Sequence, residues 1–281
     1  MLFMECEGIV TVFWLGVVLA ALVVALLVDV VFETRFPKIV EVTIATPKLQ
    51  RGQELRILQV TDIHNLPLTE DFFEKMAGTR PDLIAMTGDL IDGAHRSFDL
   101  GFAQMERLKA MNPHVFFVTG NNDWESKRFE ALMAGLRERG VIVLDNASTT
   151  LETPIGEIQI AGVDDACTWH QSVPQAMEGI VPDERFFLFL SHDPMVIRRG
   201  GEGVFTADLI LSGHTHGGQV RFPLLGALYA PTQGLFPKYD RGLFPLESGT
   251  QLYICSGLGT SRIPVRFLNR AQVTILKIVG A

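Results

Sequence analysis

The sequence predicts an α/β protein built on a mixed β-sheet and preceded by one membrane-spanning helix. Three observations carry this prediction. Ile9 to Val28 is an uncharged apolar run. Beyond Val40, short apolar runs recur, and several break at a residue able to bind a metal. Between some of those runs, apolar residues repeat at helical spacing.

The first run is interrupted only by Thr11 and Gly16. As a helix it measures roughly 30 Å, the thickness of a bilayer's hydrocarbon core. A cleaved signal peptide wants basic residues in front, a shorter apolar stretch and a small-residue cleavage site. Here Glu5 and Glu7 stand in front and Asp29 and Glu33 behind, so residues 1–32 read as an uncleaved anchor. The first basic residues, Arg35, Lys38, Lys48 and Arg51, all follow the span. The positive-inside rule then predicts a single-pass inner-membrane protein with its main domain in the cytoplasm. Residues 33–53 read as a linker and first strand, and 54–281 as that domain.

The strand runs come next. Arg56 to Thr61 ends in Asp62-Ile63-His64, Asp82 to Thr87 in Gly88-Asp89, and Val115 to Thr119 in Gly120-Asn121-Asn122-Asp123. Phe186 to Ser191 ends in His192, and Leu209 to Ser212 in Gly213-His214-Thr215-His216. Near-continuous apolar runs of this length suit strands covered on both faces. Trp124 to Arg139 predicts a helix, with Phe129, Leu132, Met133 and Leu136 on one stripe and Gly140 as its stop. Leu144 to Val163 predicts antiparallel hairpins, and Gln251 to Ser256 and Gln272 to Val279 predict closing strands. Repeated strand, ligand, helix order puts the site at the carboxyl ends of the strands.

Composition narrows the function. A formal net charge of −8 over 281 residues argues against a nucleic-acid partner, whose binding face would be basic. Three scattered cysteines without a Cys-x-x-Cys pair suggest neither a disulfide framework nor a zinc knuckle.

The strand-end residues are Asp62, His64, Asp89, Asn121, His192, His214 and His216. His95, His114 and His170 lie elsewhere. Mixed oxygen and nitrogen donors without thiolate favour Mn, Fe or Zn. Seven ligands exceed what one ion with an open position takes, but suit two divalent metal ions sharing Asp89. Such a pair can neutralise a phosphoryl group during in-line attack.

Asp-x-His, Gly-Asp, Gly-Asn-x-Asp, a lone His and Gly-His-x-His, in this order, resemble the calcineurin-like metallophosphoesterases from residue 54 to 280. The resemblance implies two mixed β-sheets packed face to face and flanked by helices, an α+β sandwich. It also implies one metal on Asp62, His64, Asp89 and His216, and a second on Asp89, Asn121, His192 and His214. Gly213 to Arg221, Ser256 to Gly259 and Pro264 to Arg270 are similar to the membrane-anchored bacterial branch. Some members of that branch split UDP-2,3-diacylglucosamine in lipid A synthesis, which implies a phosphorylated, lipid-linked substrate.

Asn122 and His214 are the candidate catalytic residues, and Asn122 departs from the family pattern. Most members carry a histidine there that touches the phosphate and helps protonate the leaving group. Asparagine donates a hydrogen bond but supplies no proton. The chain then prefers a leaving group that needs no strong acid, such as the phosphate of a pyrophosphate, or is a weakened enzyme. The alternatives are a phosphatase or phosphodiesterase of another substrate, or a non-catalytic, metal-bearing binding module.

Tyr229 to Glu247 carries Gly-Leu-Phe-Pro twice, at Gly234 and Gly242. It reads either as a buried irregular loop or as an apolar lip that receives acyl chains. Lys238, Arg241, Arg262 and Arg266 are the candidate phosphate contacts.

Overall fold

The computed structural model describes residues 2–93, 97–261 and 264–281, with side chains from residue 13 onward. His95 and Arg262 lie outside the described residues. Helix α1 (Leu2–Arg35) opens the chain. Its Phe13–Arg35 stretch is unburied, and is long and apolar enough to cross a membrane.

After α1 come β1 (Lys38–Thr46), β2 (Glu54–Val60), α2 (Glu70–Gly78), β3 (Leu83–Thr87), α3 (Asp99–Met111) and β4 (Val115–Val118). Then follow α4 (Asn121–Trp124), α5 (Phe129–Glu138), β5 (Ile142–Val143), and the hairpin β6 (Ala147–Thr153) and β7 (Gly156–Gly162). The second half holds α6 (Val173–Ala176), β8 (Phe187–Leu190), α7 (Val196–Arg199) and β9 (Leu209–Ser212). Two small antiparallel ribbons pair β10 (Arg221–Phe222) with β11 (Gly226–Ala227), and β12 (Tyr229–Ala230) with β13 (Gly234–Leu235). Strands β14 (Gly242–Pro245), β15 (Gln251–Ile254) and β16 (Gln272–Gly280) close the fold.

One six-stranded sheet runs β1-β16-β2-β3-β4-β5 and the other β14-β15-β9-β8-β7-β6. Both are mixed. The first is parallel except where β16 meets β2. The second is parallel inside and antiparallel at its two outer pairs.

The pleat of β2 shows why the sheets pack face to face. Leu55 and Ile57 enter a core shared with Leu188, Leu190, Leu209 and Leu211 of the other sheet. Leu58 and Val60 point the opposite way, among Phe72, Met76 and Met105 from the covering helices. Alternate residues therefore fill two separate cores. Burying each such side chain stabilises the fold by roughly 1.5–3 kcal/mol. Gln59 lies between the sheets with no exposure. Its Nε2 donates to Thr87 Oγ1 at 3.0 Å and to the Ser212 carbonyl at 2.9 Å, pinning the two sheets below the strand ends.

Two sequence expectations change. The helix predicted over Trp124 to Arg139 is broken between Trp124 and Phe129. Trp124 ends the short α4 and stacks on Phe129 at 3.8 Å, so the break is closed by ring packing. The two Gly-Leu-Phe-Pro copies also part company. Gly242–Pro245 is the edge strand β14, with Phe244 packed against the core, and only the first copy stays in the ribbons.

Candidate metal centre

Every predicted ligand follows a strand or opens the turn after it. Asp62 and His64 follow β2, Asp89 follows β3, and Asn121 begins α4 after β4. His192 follows β8, and His214 and His216 follow β9. A chain leaving a sheet edge points away from it, so a side chain reaches back only if the backbone turns sharply. The backbone does so here: Asp62, His64, Asp89, His214 and His216 all have positive φ, between 47° and 67°. Left-handed conformations cost non-glycine residues about 1–3 kcal/mol each and persist where surrounding structure enforces them. Neighbouring glycines make the crowding possible. A Cβ on Gly88 would lie 2.6 Å from the His192 ring, and Cβ atoms on Gly120 and Gly213 would collide with Asp89 and with Thr61.

Asp62, His64, Asp89 and His216 offer ligand atoms within 4.8 Å of one another. His192 Nε2 lies 3.3 Å from Asp89 Oδ2, and His214 Nδ1 lies 3.0 Å from His192 Nε2. His64 Nε2, Asn121 Oδ1, His214 Nε2 and His216 Nδ1 are buried and lack a hydrogen-bond partner. Orphaned polar atoms are costly, and several gathered around two carboxylates fit cations.

The supporting shell holds the donors. His192 Nδ1 sits 2.8 Å from the Thr87 carbonyl, which accepts its N–H and leaves Nε2 for a ligand role. The His214 N–H donates to Asp62, and Thr61 Oγ1 donates to Asp62 Oδ2 at 2.8 Å. Asp123 accepts from the backbone N–H groups of Asp89, Leu90, Ile91 and Gly120, tying the β3 loop to the β4 loop.

Burial opposes ionisation of Asp62, but the imidazoles of His216, His64 and His192 outweigh it and lower the acid to about 2. Asp89 is likewise held low against burial, by His192 first and then His64 and His214. Burial lowers His216 to about 3, keeping it neutral. Against burial, Asp62 and Asp89 raise His64 and His192 above the ordinary imidazole value, so a metal, which binds carboxylate and neutral imidazole, must displace their protons.

A family model described as calcineurin-like phosphoesterase matches residues 55–218. The chain belongs to the calcineurin-like phosphoesterase family. It is 32% identical over 260 residues to an "Uncharacterized metallophosphoesterase" of Aquifex aeolicus, covering 88% of this chain and 94% of that one. It is 31% identical over 245 residues to the "Transmembrane protein with metallophosphoesterase domain" of Bos taurus, covering 81% of this chain and 53% of that one. Among solved structures, a 5′-nucleotidase precursor from Thermus thermophilus superposes with a TM-score of 0.48 at 12% identity, over 81% of this chain and 54% of that one. As a calcineurin-like phosphoesterase, the protein is a metal-dependent hydrolase with a dimetal centre.

This phosphoesterase carries a cavity of about 640 Å³ over the centre, lined by Asp89, Asn121, Asn122 and His214 on one side. Gln219, Val220, Leu228 and Tyr229 line another side. Cys167 also lines it, a position that the spacing of the cysteines does not announce. Burial and Asp165 raise its thiol to about 11, so it faces the cavity protonated.

Arg266 corrects a sequence expectation. It has no exposure, and its guanidinium donates to the carbonyls of Gly259 and Ser256. A cation so placed braces the loops behind His216 and presents nothing to a substrate. Arg241 is half-buried, with Nη1 on Asn269 Oδ1 at 2.8 Å, and Lys238 is exposed over the Tyr239 ring. Neither lines the cavity. Asn269 was not foreseen. Its Nδ2 donates to the His216 carbonyl at 2.6 Å from 53 residues away, a separation without any local signal.

Proposed function

We propose that this protein is a membrane-anchored phosphohydrolase that cleaves a pyrophosphate or phosphodiester bond on the cytoplasmic side of the inner membrane. One divalent ion is held by Asp62, His64, Asp89 and His216, and the other by Asp89, Asn121, His192 and His214. Mn, Fe or Zn suits this donor chemistry. Bound there, the ions polarise phosphoryl oxygens and offset the charge that grows during in-line displacement.

The single observation that carries the bond preference is Asn122. It faces the cavity where the family's proton donor usually sits, and its amide gives up no proton. An alkoxide leaving group is strongly basic and profits from an acid. A phosphate leaving group is a far weaker base, so charge stabilisation suffices.

UDP-2,3-diacylglucosamine is the best single substrate candidate, through the resemblance to the anchored bacterial branch. In that proposal the apolar residues from Leu228 to Phe236 receive acyl chains and His214 contacts the phosphoryl group. A phosphodiesterase of another substrate is the second reading. The deciding measurement is kcat/KM of the metal-loaded protein on alkyl phosphomonoesters, phosphodiesters and lipid-linked pyrophosphates. Preference for alkyl monoesters overturns the bond assignment, and inactivity on all three leaves a binding module.

A further inference from the structure

We infer that the ribbon segment from Phe222 to Phe236 is a second membrane contact, seated on the lipid bilayer beside the anchor helix. The inference rests on the membrane-anchor reading and is independent of the substrate.

Residues 222–237 carry no charge, while Arg221 and Lys238 flank them. Among the described residues beyond Arg35, thirteen large hydrophobic side chains are exposed, and seven of them fall between Phe222 and Phe236. Leu224 is 107% exposed, at the turn between β10 and β11, and Leu225, Leu235 and Phe236 are each at least 60% exposed. Scattered exposed apolar residues are ordinary, but a contiguous patch marks an interaction surface.

The position of the patch identifies its partner. The last turn of α1 is fastened to the loop Arg266–Ala271. The Ala271 N–H donates to the Glu33 carbonyl at 2.9 Å, the Arg266 N–H donates to Thr34 Oγ1 at 2.9 Å, and the Arg270 guanidinium lies over the Phe32 ring. The same loop is fastened to the base of the ribbon. The Arg221 N–H donates to the Phe267 carbonyl, and the Phe267 N–H to the Gln219 carbonyl, both at 3.0 Å. Leu268, 40% exposed, lies between the two attachments. Anchor and ribbon therefore flank one short loop.

Reach agrees with this placement. From Val28, where the apolar run ends, to Arg35 the helix rises about 10 Å, close to the depth of the headgroup region. Amphipathic segments with basic flanks bury their apolar face to about that depth. A domain held so near the bilayer brings an uncharged leucine-rich ribbon to its surface. Gln219, Val220, Leu228 and Tyr229, on or next to that ribbon, line the cavity, so its mouth opens toward the headgroups.

The test uses the full chain in phosphatidylethanolamine–phosphatidylglycerol vesicles with no substrate present. Leu224→Cys, on a background of Cys6→Ser and Cys167→Ser, carries an NBD fluorophore, and Val181→Cys, on another exposed loop, is the aqueous control. Because Leu224 touches no core, the change leaves the fold intact. Flotation with the vesicles tests the anchor separately. The Leu224 probe should be quenched by nitroxide-bearing lipid and be about threefold or more better shielded from iodide than the control. Floating protein whose Leu224 probe is open to iodide overturns the contact. Shielding without nitroxide quenching also overturns it, in favour of a second protein surface. Failure to float overturns the anchor, and the contact with it.

Discussion

Asn122 donates its side-chain amide to Oδ2 of Asp89 at 2.7 Å, and its backbone N–H to Oδ1 of the same carboxylate at 2.8 Å. The residue proposed to face the leaving group is thus also a clamp on the acid proposed to bridge both ions. Asn122→Ala removes the side-chain half of that clamp. It should lower kcat/KM about 10- to 100-fold on every substrate, the usual cost of losing a partner that orients a ligand. Asn122→His should instead shift the ratio of monoesterase to pyrophosphatase activity upward. An unchanged ratio at equal metal loading would deny Asn122 its role in leaving-group choice.

Asp89→Ala should abolish hydrolysis and lower bound metal toward zero, because no other side chain is shared between the two ligand sets. His170→Ala is the contrast. Its ring stacks on Trp124 at 3.6 Å. Losing that stack should cost about 0.5–1.5 kcal/mol of stability and leave the metal content unchanged. Metal analysis and thermal unfolding of the two variants measure both effects.

Arg266→Ala should destabilise the protein by about 3–5 kcal/mol, since it leaves a cavity and strips donors from buried carbonyls. A surface phosphate contact would behave oppositely, raising KM while leaving Tm alone. Urea unfolding beside steady-state kinetics separates the two roles.

Burial, reinforced by Asp145, raises Asp164 from its ordinary 3.8 to about 8. Between those values the folded state holds a proton that the unfolded chain releases. Stability from this group is therefore full below about pH 4, declines as pH rises through the window, and is gone above about 8. Asp164→Asn keeps an acceptor for the Thr119 hydroxyl and cannot ionise. Its Tm should rise relative to wild type between pH 5 and pH 8, and a constant difference would contradict the shifted acid.

The proposed cytoplasmic side rests on the basic residues after the span. Protease added to intact spheroplasts should leave the main domain uncut, and lysis should expose it. Cleavage from outside would reverse the orientation.

Much of the centre was legible because its residues fall where strand runs stop. A run such as Leu209 to Ser212 must leave the sheet somewhere, and the first polar residues after it mark that edge. The short α4 was less legible, since the apolar stripe from Trp124 onward suits one helix. The stacking of Trp124 on Phe129 lets the chain break there while both rings stay half-buried.

By itself the sequence marked the apolar N-terminal helix, most of the core strands, and seven polar residues at the ends of those strands. These follow from local properties, namely hydropathy, period and residue chemistry. Tertiary structure alone decided which way Arg266 points, that Asn269 holds the His216 carbonyl, and that Glu33, Thr34 and the apolar ribbon share one loop. These contacts join residues from 7 to more than 230 positions apart, and neither their spacing nor their composition announces them. An arginine faces a phosphate or a set of backbone carbonyls according to what surrounds it after folding, and its letter in the sequence is the same in both cases.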